Sequence, residues 1–186
     1  MALYHVRVAP FHNEVFTITS VWWEEPRNHR GLDITTGVNS ALFPIAKSEV
    51  VFSGAERDPL GNLTGYGYYI ITKDVNTNMG YLYAHLRDNP LYPVGAIVDT
   101  NQIIGYEGST GDSTGIHLHF EMQDLTNHDW VYGAPREYYT NPADFMGIPN
   151  VEGEQGIYDY SPTPHPNKFS QTHFPWVLYA RKIRGE

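Results

Sequence analysis

Three features are missing from this sequence of 186 residues, and each absence excludes a class of protein. There is no cysteine, so neither a disulfide framework nor a thiolate metal site is possible. No apolar run approaches the ~20 residues that a membrane-spanning helix needs, and we expect no membrane insertion. The N-terminal stretch MALYHVRVAP lacks the apolar core of a secretory signal. If the protein acts outside a cytoplasm, we expect another device to carry it there, or the sequence to be an excised domain.

Positive charge is also scarce. The chain has 12 Lys and Arg against 21 Asp and Glu, a formal net charge of −9. A nucleic-acid partner needs a basic footprint, so we expect none. The 41% hydrophobic and 18% charged residues are typical of a globular protein with a core.

Helical periodicity is nearly absent, and short β-branched and aromatic runs recur between Gly, Pro, Asn and Asp residues. This pattern predicts a mainly β fold with an antiparallel sheet core, of the sandwich or partly open barrel type. The predicted strands are Val15–Trp23, Glu49–Ser53, Tyr66–Lys73, Met79–Ala84, Ala96–Val98, Gln102–Tyr106 and His117–Gln123.

The character of the chain changes after about Asn141. A short helical turn is predicted there, with Pro142 at its first position. We expect one domain over residues 1–147 and a loop-rich C-terminal extension over 148–186 that packs back on it. Gly147–Lys168 is predicted to be surface loop or linker, and His173–Lys182 an edge strand.

Two short motifs contain residues that bind metals. In H-R-G-L-D, His29 and Asp33 could converge on one ion where a turn enters a strand. In H-L-H-F-E, His117, His119 and Glu121 share one face of a strand, because side chains alternate along it. Two readings stay open at this point: a polar surface face with hydrogen-bonded imidazoles, or a metal site.

The metal reading has a chemical rationale. Two imidazoles and a carboxylate suit Zn²⁺, and a catalytic site leaves one position for water. Zinc makes water nucleophilic near neutral pH without serine or cysteine. Ser109 lies in G-S-T-G and not in a nucleophile elbow, so metal-activated hydrolysis is the favoured enzymatic reading.

The order H-x-x-x-D, Y-A-H-L (with His85) and G-D-S-T-G-I-H-L-H-F-E resembles the lysostaphin-like zinc metallopeptidases, the LytM-domain peptidoglycan endopeptidases. The resemblance runs from about Phe16 to Met122 and includes Gly65-Tyr66-Gly67. It implies a mostly antiparallel β fold with a substrate groove and one zinc ion per chain. Carried over, it implies that His29, Asp33 and His119 bind the metal.

The same resemblance implies that His85 and His117 are catalytic, taking a proton from the attacking water and stabilising the oxyanion. We further predict that the substrate is contacted by Trp22, Trp23, Tyr83, Gly111 and Ser113. The implied activity is hydrolysis of peptide bonds in peptidoglycan stems or cross-links, at the bacterial cell wall. A phage tail component or prophage lysin, with tail proteins as partners, is one context. The alternative is a non-catalytic wall-binding or regulatory module.

Overall fold

The computed structural model describes residues 2–162, and most of their regular structure is β-strand. The strands are β1 (Leu3–His5), β2 (Val15–Ser20), β3 (Leu32–Thr35), β4 (Ala41–Leu42), β5 (Ser48–Arg57), β6 (Leu63–Asp74), β7 (Met79–Leu86), β8 (Ile97–Val98), β9 (Gly105–Tyr106), β10 (Leu118–Asp124) and β11 (Gln155–Ile157). A turn of 3-10 helix spans Arg136–Tyr138, and helix α1 spans Pro142–Met146. No helix within the described range is long and apolar enough to cross a bilayer.

Nine strands form one sheet in the order β1-β11-β2-β3-β10-β7-β6-β5-β8, and β4 pairs with β9 separately. Neighbouring strands are antiparallel, apart from the parallel pair β1 and β11. The predicted mainly β fold with an antiparallel core is therefore confirmed. The order places β3, β10 and β7 side by side at the centre of the sheet.

The two faces of the central strands have different roles. One face packs on the main core, to which β10 contributes Leu118, Phe120 and Met122. The opposite face of β10 presents His119 and Glu121, as the alternation in H-L-H-F-E predicts. Both of these polar residues are nevertheless buried. The sheet thus supplies a buried and rigid support for polar side chains.

Helix α1 forms as predicted. The side chain of Asn141 accepts a hydrogen bond from the amide of Ala143 at 3.0 Å, which caps the first turn. Pro142 is the first helical residue, where its missing N–H has no cost. Gly147 adopts a left-handed conformation, with φ of 83°, and ends the helix.

The prediction of surface loop over Gly147–Lys168 is wrong for Gln155–Ile157, since this segment is β11 and lies between β1 and β2. Its pairing is distant in sequence, and three residues with a central glycine carry no alternation signal. Gly156 packs directly on Phe16, where a Cβ atom would lie 2.4 Å from the ring. Gln155–Ile157 thus continues the sheet beyond residue 147, while His173–Lys182 lies outside the described residues.

Candidate metal centre and cleft

Strand pairing brings two of the three predicted metal ligands, Asp33 and His119, together. His119 on β10 is the direct cross-strand partner of Asp33 on β3, and their Nδ1 and Oδ1 atoms lie 2.8 Å apart. His29 precedes β3, and its Nε2 lies 3.1 Å from Asp33 Oδ1 and 3.0 Å from His119 Nδ1. The three donor atoms therefore form a nearly equilateral triangle.

Gly31, between His29 and Asp33, makes this approach possible. A Cβ atom at Gly31 would lie 2.6 Å from Cε1 of His119 and 2.8 Å from the carbonyl oxygen of Phe120. No side chain fits there without displacing the imidazole or the backbone of β10. The G of H-R-G-L-D therefore lets the segment carrying His29 close over β10.

Hydrogen bonds at the outer nitrogens fix how the two imidazoles face the triangle. His29 Nδ1 donates to the carbonyl oxygen of Val21 at 2.8 Å, so its Nε2 carries the lone pair. His119 Nε2 donates to Oε1 of Glu121 at 2.9 Å, which directs Nδ1 towards Asp33. Such outer partners are usual for metal-binding histidines.

The donor set fits a zinc ion. Tetrahedral Zn²⁺ with ligands at about 2.0–2.1 Å needs ligand atoms roughly 3.3 Å apart, close to the three distances here. Burial would raise the pKa of Asp33, but hydrogen bonds from His119 and His29 outweigh it and lower that pKa. Burial would lower the pKa of His119, yet its bonds to Asp33 and Glu121 raise it. The shifts show that the Asp33 carboxylate and a positively charged partner stabilise each other at this site.

His85 and His117 lie beside the triangle with their ring centroids 4.8 Å apart. His85 Nδ1 donates to the carbonyl oxygen of Thr110 at 2.8 Å, and His117 Nδ1 to that of Gly115 at 2.9 Å. In the neutral rings, Nε2 is left as a hydrogen-bond acceptor. His117 Nε2 lies 3.9 Å from Asp33 Oδ2. Burial, followed by the charges of His119 and His117, lowers the pKa of His85 to about 4.

A cleft of about 470 Å³ opens over these groups. It is lined by Arg27, His29, Asp33, Glu56, Gly65, Tyr66, His85, Asp112, Ser113, Thr114, His117 and His119. The five residues predicted to bind metal or act in catalysis all belong to this lining. Of the five predicted substrate contacts, Ser113 alone does.

The remaining predicted substrate contacts have other surroundings. Trp22 and Trp23 lie under the guanidinium of Arg136, with their ring centroids 4.8 and 5.5 Å from its Cζ atom. Gly111 packs against β6, where a Cβ atom would lie 2.4 Å from the oxygen of Gly65. These residues hold loops together and do not line the cleft.

The structure contradicts the predicted contact of Tyr83 with the substrate, because Tyr83 is completely buried in the main core. Its hydroxyl accepts a hydrogen bond from the amide of Ile45 at 3.1 Å. Alternation would place Tyr83 on the same face as His85. The pairing of β7 with β6 is irregular here, however, and His85 has a φ of 57°. This bulge turns His85 to the cleft while Tyr83 stays in the core.

Several cleft residues were not predicted from the sequence. Tyr66 belongs to the quoted G-Y-G stretch and so had a signal, as did Glu121, which lies on the polar face of β10 but is buried and not part of the cleft lining. Asp112 belongs to the quoted G-D-S-T-G stretch, whereas Arg27 and Glu56 had no signal. The positions of these three residues depend on the loop before β3, the register of β5 and the glycine-rich loop of residues 108–115, none of which a local pattern reveals.

The sequence of this chain is similar to those of known proteins. The sequence model of peptidase family M23 matches residues 27–131. The chain is 30% identical over 122 residues to the DD-carboxypeptidase/endopeptidase Mpg of Neisseria meningitidis, covering 65% of this chain and 25% of that protein. It is 35% identical over 100 residues to the glycyl-glycine endopeptidase ALE-1 of Staphylococcus capitis, covering 54% and 25%.

The fold is similar to that of lysostaphin, an antimicrobial peptidase from Staphylococcus simulans. The TM-score is 0.57 at 25% identity, covering 82% of this chain and 56% of that structure. The chain spans about a quarter of the length of the curated relatives that it matches.

Proposed function

Given that this chain belongs to peptidase family M23, we propose that it is a zinc-dependent endopeptidase that hydrolyses peptide bonds of bacterial peptidoglycan. One observation carries the proposal: three metal-ligand atoms converge within 3.1 Å on a cleft that also holds the free Nε2 atoms of two histidines. A wall-binding module would need the cleft but not this grouping. The names of Mpg and ALE-1 as endopeptidases support the reaction class.

In this proposal His29, Asp33 and His119 hold the zinc through Nε2, Oδ1 and Nδ1. When bound, Zn²⁺ supplies Lewis acidity, which polarises a carbonyl group and makes water nucleophilic near neutral pH. The hydrogen bonds of His29 to Val21 and of His119 to Glu121 orient the two rings before the metal arrives. The protein therefore does not have to reorganise these rings on binding.

The proton transfers fall to the histidines beside the metal. His117 has Nε2 available as an acceptor 3.9 Å from Oδ2 of the proposed ligand Asp33, and we assign it as the general base. Once protonated, the same Nε2 can donate to the leaving amine.

His85 has a different part in the proposal. Its lowered pKa keeps it neutral at pH 7, and its Nδ1 proton is held by Thr110. It therefore offers an acceptor at Nε2, which suits it to orient water or an amide N–H of the substrate. With its proton on Nδ1, His85 cannot donate a hydrogen bond from Nε2 to an oxyanion. Of the two roles that the resemblance implies, accepting a proton from water and stabilising the oxyanion, it therefore fits the first.

The substrate in this proposal is a peptide stem or cross-link, and the site of action is the cell wall. An extended peptide can lie in the cleft between the glycine-rich loop and the segment that carries Arg27 and His29. Association with a phage tail stays a prediction from the sequence.

The test is digestion of purified peptidoglycan with the zinc-loaded protein, read by mass spectrometry of the released fragments. We expect new amino termini from the wild type and none from His119→Ala. A protein that binds zinc and walls but releases no peptide would instead support the non-catalytic module.

A further inference from the structure

Behind the metal triangle lies a carboxylate that the mechanism above does not use. Glu121 is only 1% exposed. Its Oε1 accepts hydrogen bonds from His119 Nε2 at 2.9 Å and from the hydroxyl of Tyr66 at 2.7 Å. Its Oε2 is buried without a hydrogen-bond partner in the described part of the chain.

This arrangement is costly for folding alone. A buried carboxylate needs compensation at both oxygens, and here one oxygen has two partners while the other has none. Among residues 2–162, His119 is the one ion-pair partner of Glu121 within 4 Å. An uncharged side chain of similar size would avoid this desolvation cost, so the charge of Glu121 points to an effect on its partner His119.

The effect of Glu121 on His119 follows from the chemistry of imidazole. To bind a metal, the ring must carry one proton only, and a carboxylate at Nε2 holds that proton at Nε2. The lone pair is then at Nδ1, which faces His29 Nε2 and Asp33 Oδ1. With the proton at Nδ1 instead, His119 could not bind a metal in the triangle.

Tyr66 connects this carboxylate to the cleft. It belongs to the cleft lining, and its ring centroid lies 5.8 Å from that of His119. The flanking Gly65 and Gly67 have φ values of 51° and 63°, which side chains rarely adopt. A Cβ atom at Gly67 would collide with the backbone of Thr110. The backbone conformation of the G-Y-G stretch thus directs the Tyr66 hydroxyl to Glu121.

We propose that Glu121 is a positioning residue that, supported by Tyr66, holds His119 with its proton on Nε2 and its lone pair on Nδ1, and so strengthens metal binding. The inference rests on the zinc site of the proposed function. It goes further by assigning two residues that do not touch the metal. Partners of this kind typically contribute 10- to 100-fold in metal affinity.

The experiment measures zinc affinity by competition with a chromophoric chelator, and the protonation of the His119 ring by long-range ¹H–¹⁵N correlation spectra. Glu121→Leu removes the acceptor, Glu121→Gln keeps an oxygen without the charge, and Tyr66→Phe removes the supporting hydroxyl. Tyr69→Phe is the matched control on the same strand. It removes a hydroxyl that bonds to Tyr132 at 3.0 Å and not to Glu121.

We expect zinc binding to weaken roughly 10- to 100-fold in Glu121→Leu, with smaller losses in Glu121→Gln and Tyr66→Phe and none in Tyr69→Phe. In the zinc-free Leu variant, the His119 proton should also be found at Nδ1. If Glu121→Leu does not fold, the Gln and Phe variants decide. Wild-type affinity and an unchanged His119 proton in both of these would overturn the proposal.

The outcomes separate this inference from the proposed function. Zinc affinity that depends on Glu121, in a protein that releases no wall peptides, would support the inference and contradict the endopeptidase. Wall cleavage with zinc affinity independent of Glu121 and Tyr66 would do the reverse. A wild type that binds no zinc would contradict both.

Discussion

His119 Nδ1 lies 2.8 Å from Asp33 Oδ1 because the two residues are direct partners across the antiparallel strands β10 and β3. The backbone ladder, and not a flexible loop, therefore sets the distance between these two ligand atoms. His29 completes the triangle from the preceding segment, and its ring is held by the carbonyl of Val21. A site preassembled in this way should couple metal binding to the stability of the sheet.

We expect zinc to raise the melting temperature. A ligand that binds only the folded state contributes about 2.7 kcal/mol when its concentration is 100-fold above its dissociation constant. For a chain of this size that corresponds to an increase of about 5–10 °C. Differential scanning fluorimetry with zinc and then with excess chelator measures it. The control is His119→Ala, whose melting temperature should not respond to zinc. An equal response in both proteins would place the metal elsewhere.

Replacing Gly31 by alanine should damage both fold and site. The added Cβ would lie 2.6 Å from the His119 ring and 2.8 Å from a carbonyl oxygen of β10. Overpacking of this kind costs about 1–3 kcal/mol, and relief requires His119 to move. Chemical denaturation and zinc titration measure the two effects.

Gly115→Ala is the matched control for this substitution. Gly115 is also next to the site, but among residues 2–162 an added Cβ would meet nothing within 4 Å. We expect the Gly115→Ala protein to have the stability and the zinc affinity of the wild type. If Gly31→Ala also has wild-type stability and zinc affinity, the close packing of Gly31 against His119 contributes to neither.

His117 should affect turnover and not metal binding. As general base it would contribute about 10²- to 10⁴-fold to kcat. We expect His117→Ala to lose activity by that factor while its zinc content, measured by atomic absorption, stays at one ion per chain. Loss of the metal together with activity would instead make His117 a ligand.

The sequence indicates most of this site because its key residues are local neighbours. His117, His119 and Glu121 are spaced two apart on a strand, and period-two alternation alone puts them on one face. His29 and Asp33 lie close along the chain, so a single turn brings them together. The structure groups all four histidines and Asp33 at one cleft.

The errors arise where geometry departs from regular alternation or depends on distant pairing. Tyr83 would face the cleft in an unbroken strand, but the bulge at His85 reverses the side on which residues point. Gln155–Ile157 forms a strand through pairing with β1 and β2, which are distant from it in sequence. Glu56 reaches the cleft through the register of β5 with β6, which depends on two bulges.

Neutralising the cleft carboxylates should change substrate preference. Glu56 and Asp112 both line the cleft, and neither forms an ion pair within 4 Å in the part of the chain that is described. We expect them to favour wall peptides with a free amino group. Glu56→Gln and Asp112→Asn should each raise KM for such a peptide about 2- to 5-fold, as for exposed charge pairs.

The comparison for this prediction is the same peptide with its amino group acetylated, and the control variant is Glu49→Gln. Glu49 is an exposed acid on the same strand as Glu56 and is not part of the cleft lining. We expect the preference for the free amine over the acetylated peptide to shrink in the cleft variants and to persist in Glu49→Gln. An equal preference in all four proteins would show that these carboxylates do not read the substrate's charge.

His12 should make the stability of the fold depend on pH. Its ring is stacked between Phe43 and Tyr160, with both centroid distances 3.8 Å and interplanar angles of 7° and 12°. Burial lowers the pKa of His12 to about 4 from an ordinary value of 6.5. Between these pH values the unfolded chain binds a proton that the folded chain does not. The contribution of His12 to stability is therefore fully present above pH 6.5 and is lost as the pH falls towards 4.

The measurement is urea denaturation of zinc-free wild type and His12→Phe at several pH values between 7.5 and 4. Phenylalanine keeps the stacked ring and cannot be protonated, so its stability should fall less over this range. Since every other titrating group is common to the two proteins, the difference between their curves isolates His12. Parallel curves would show that the stacked ring is protonated as easily in the folded state as in the unfolded one.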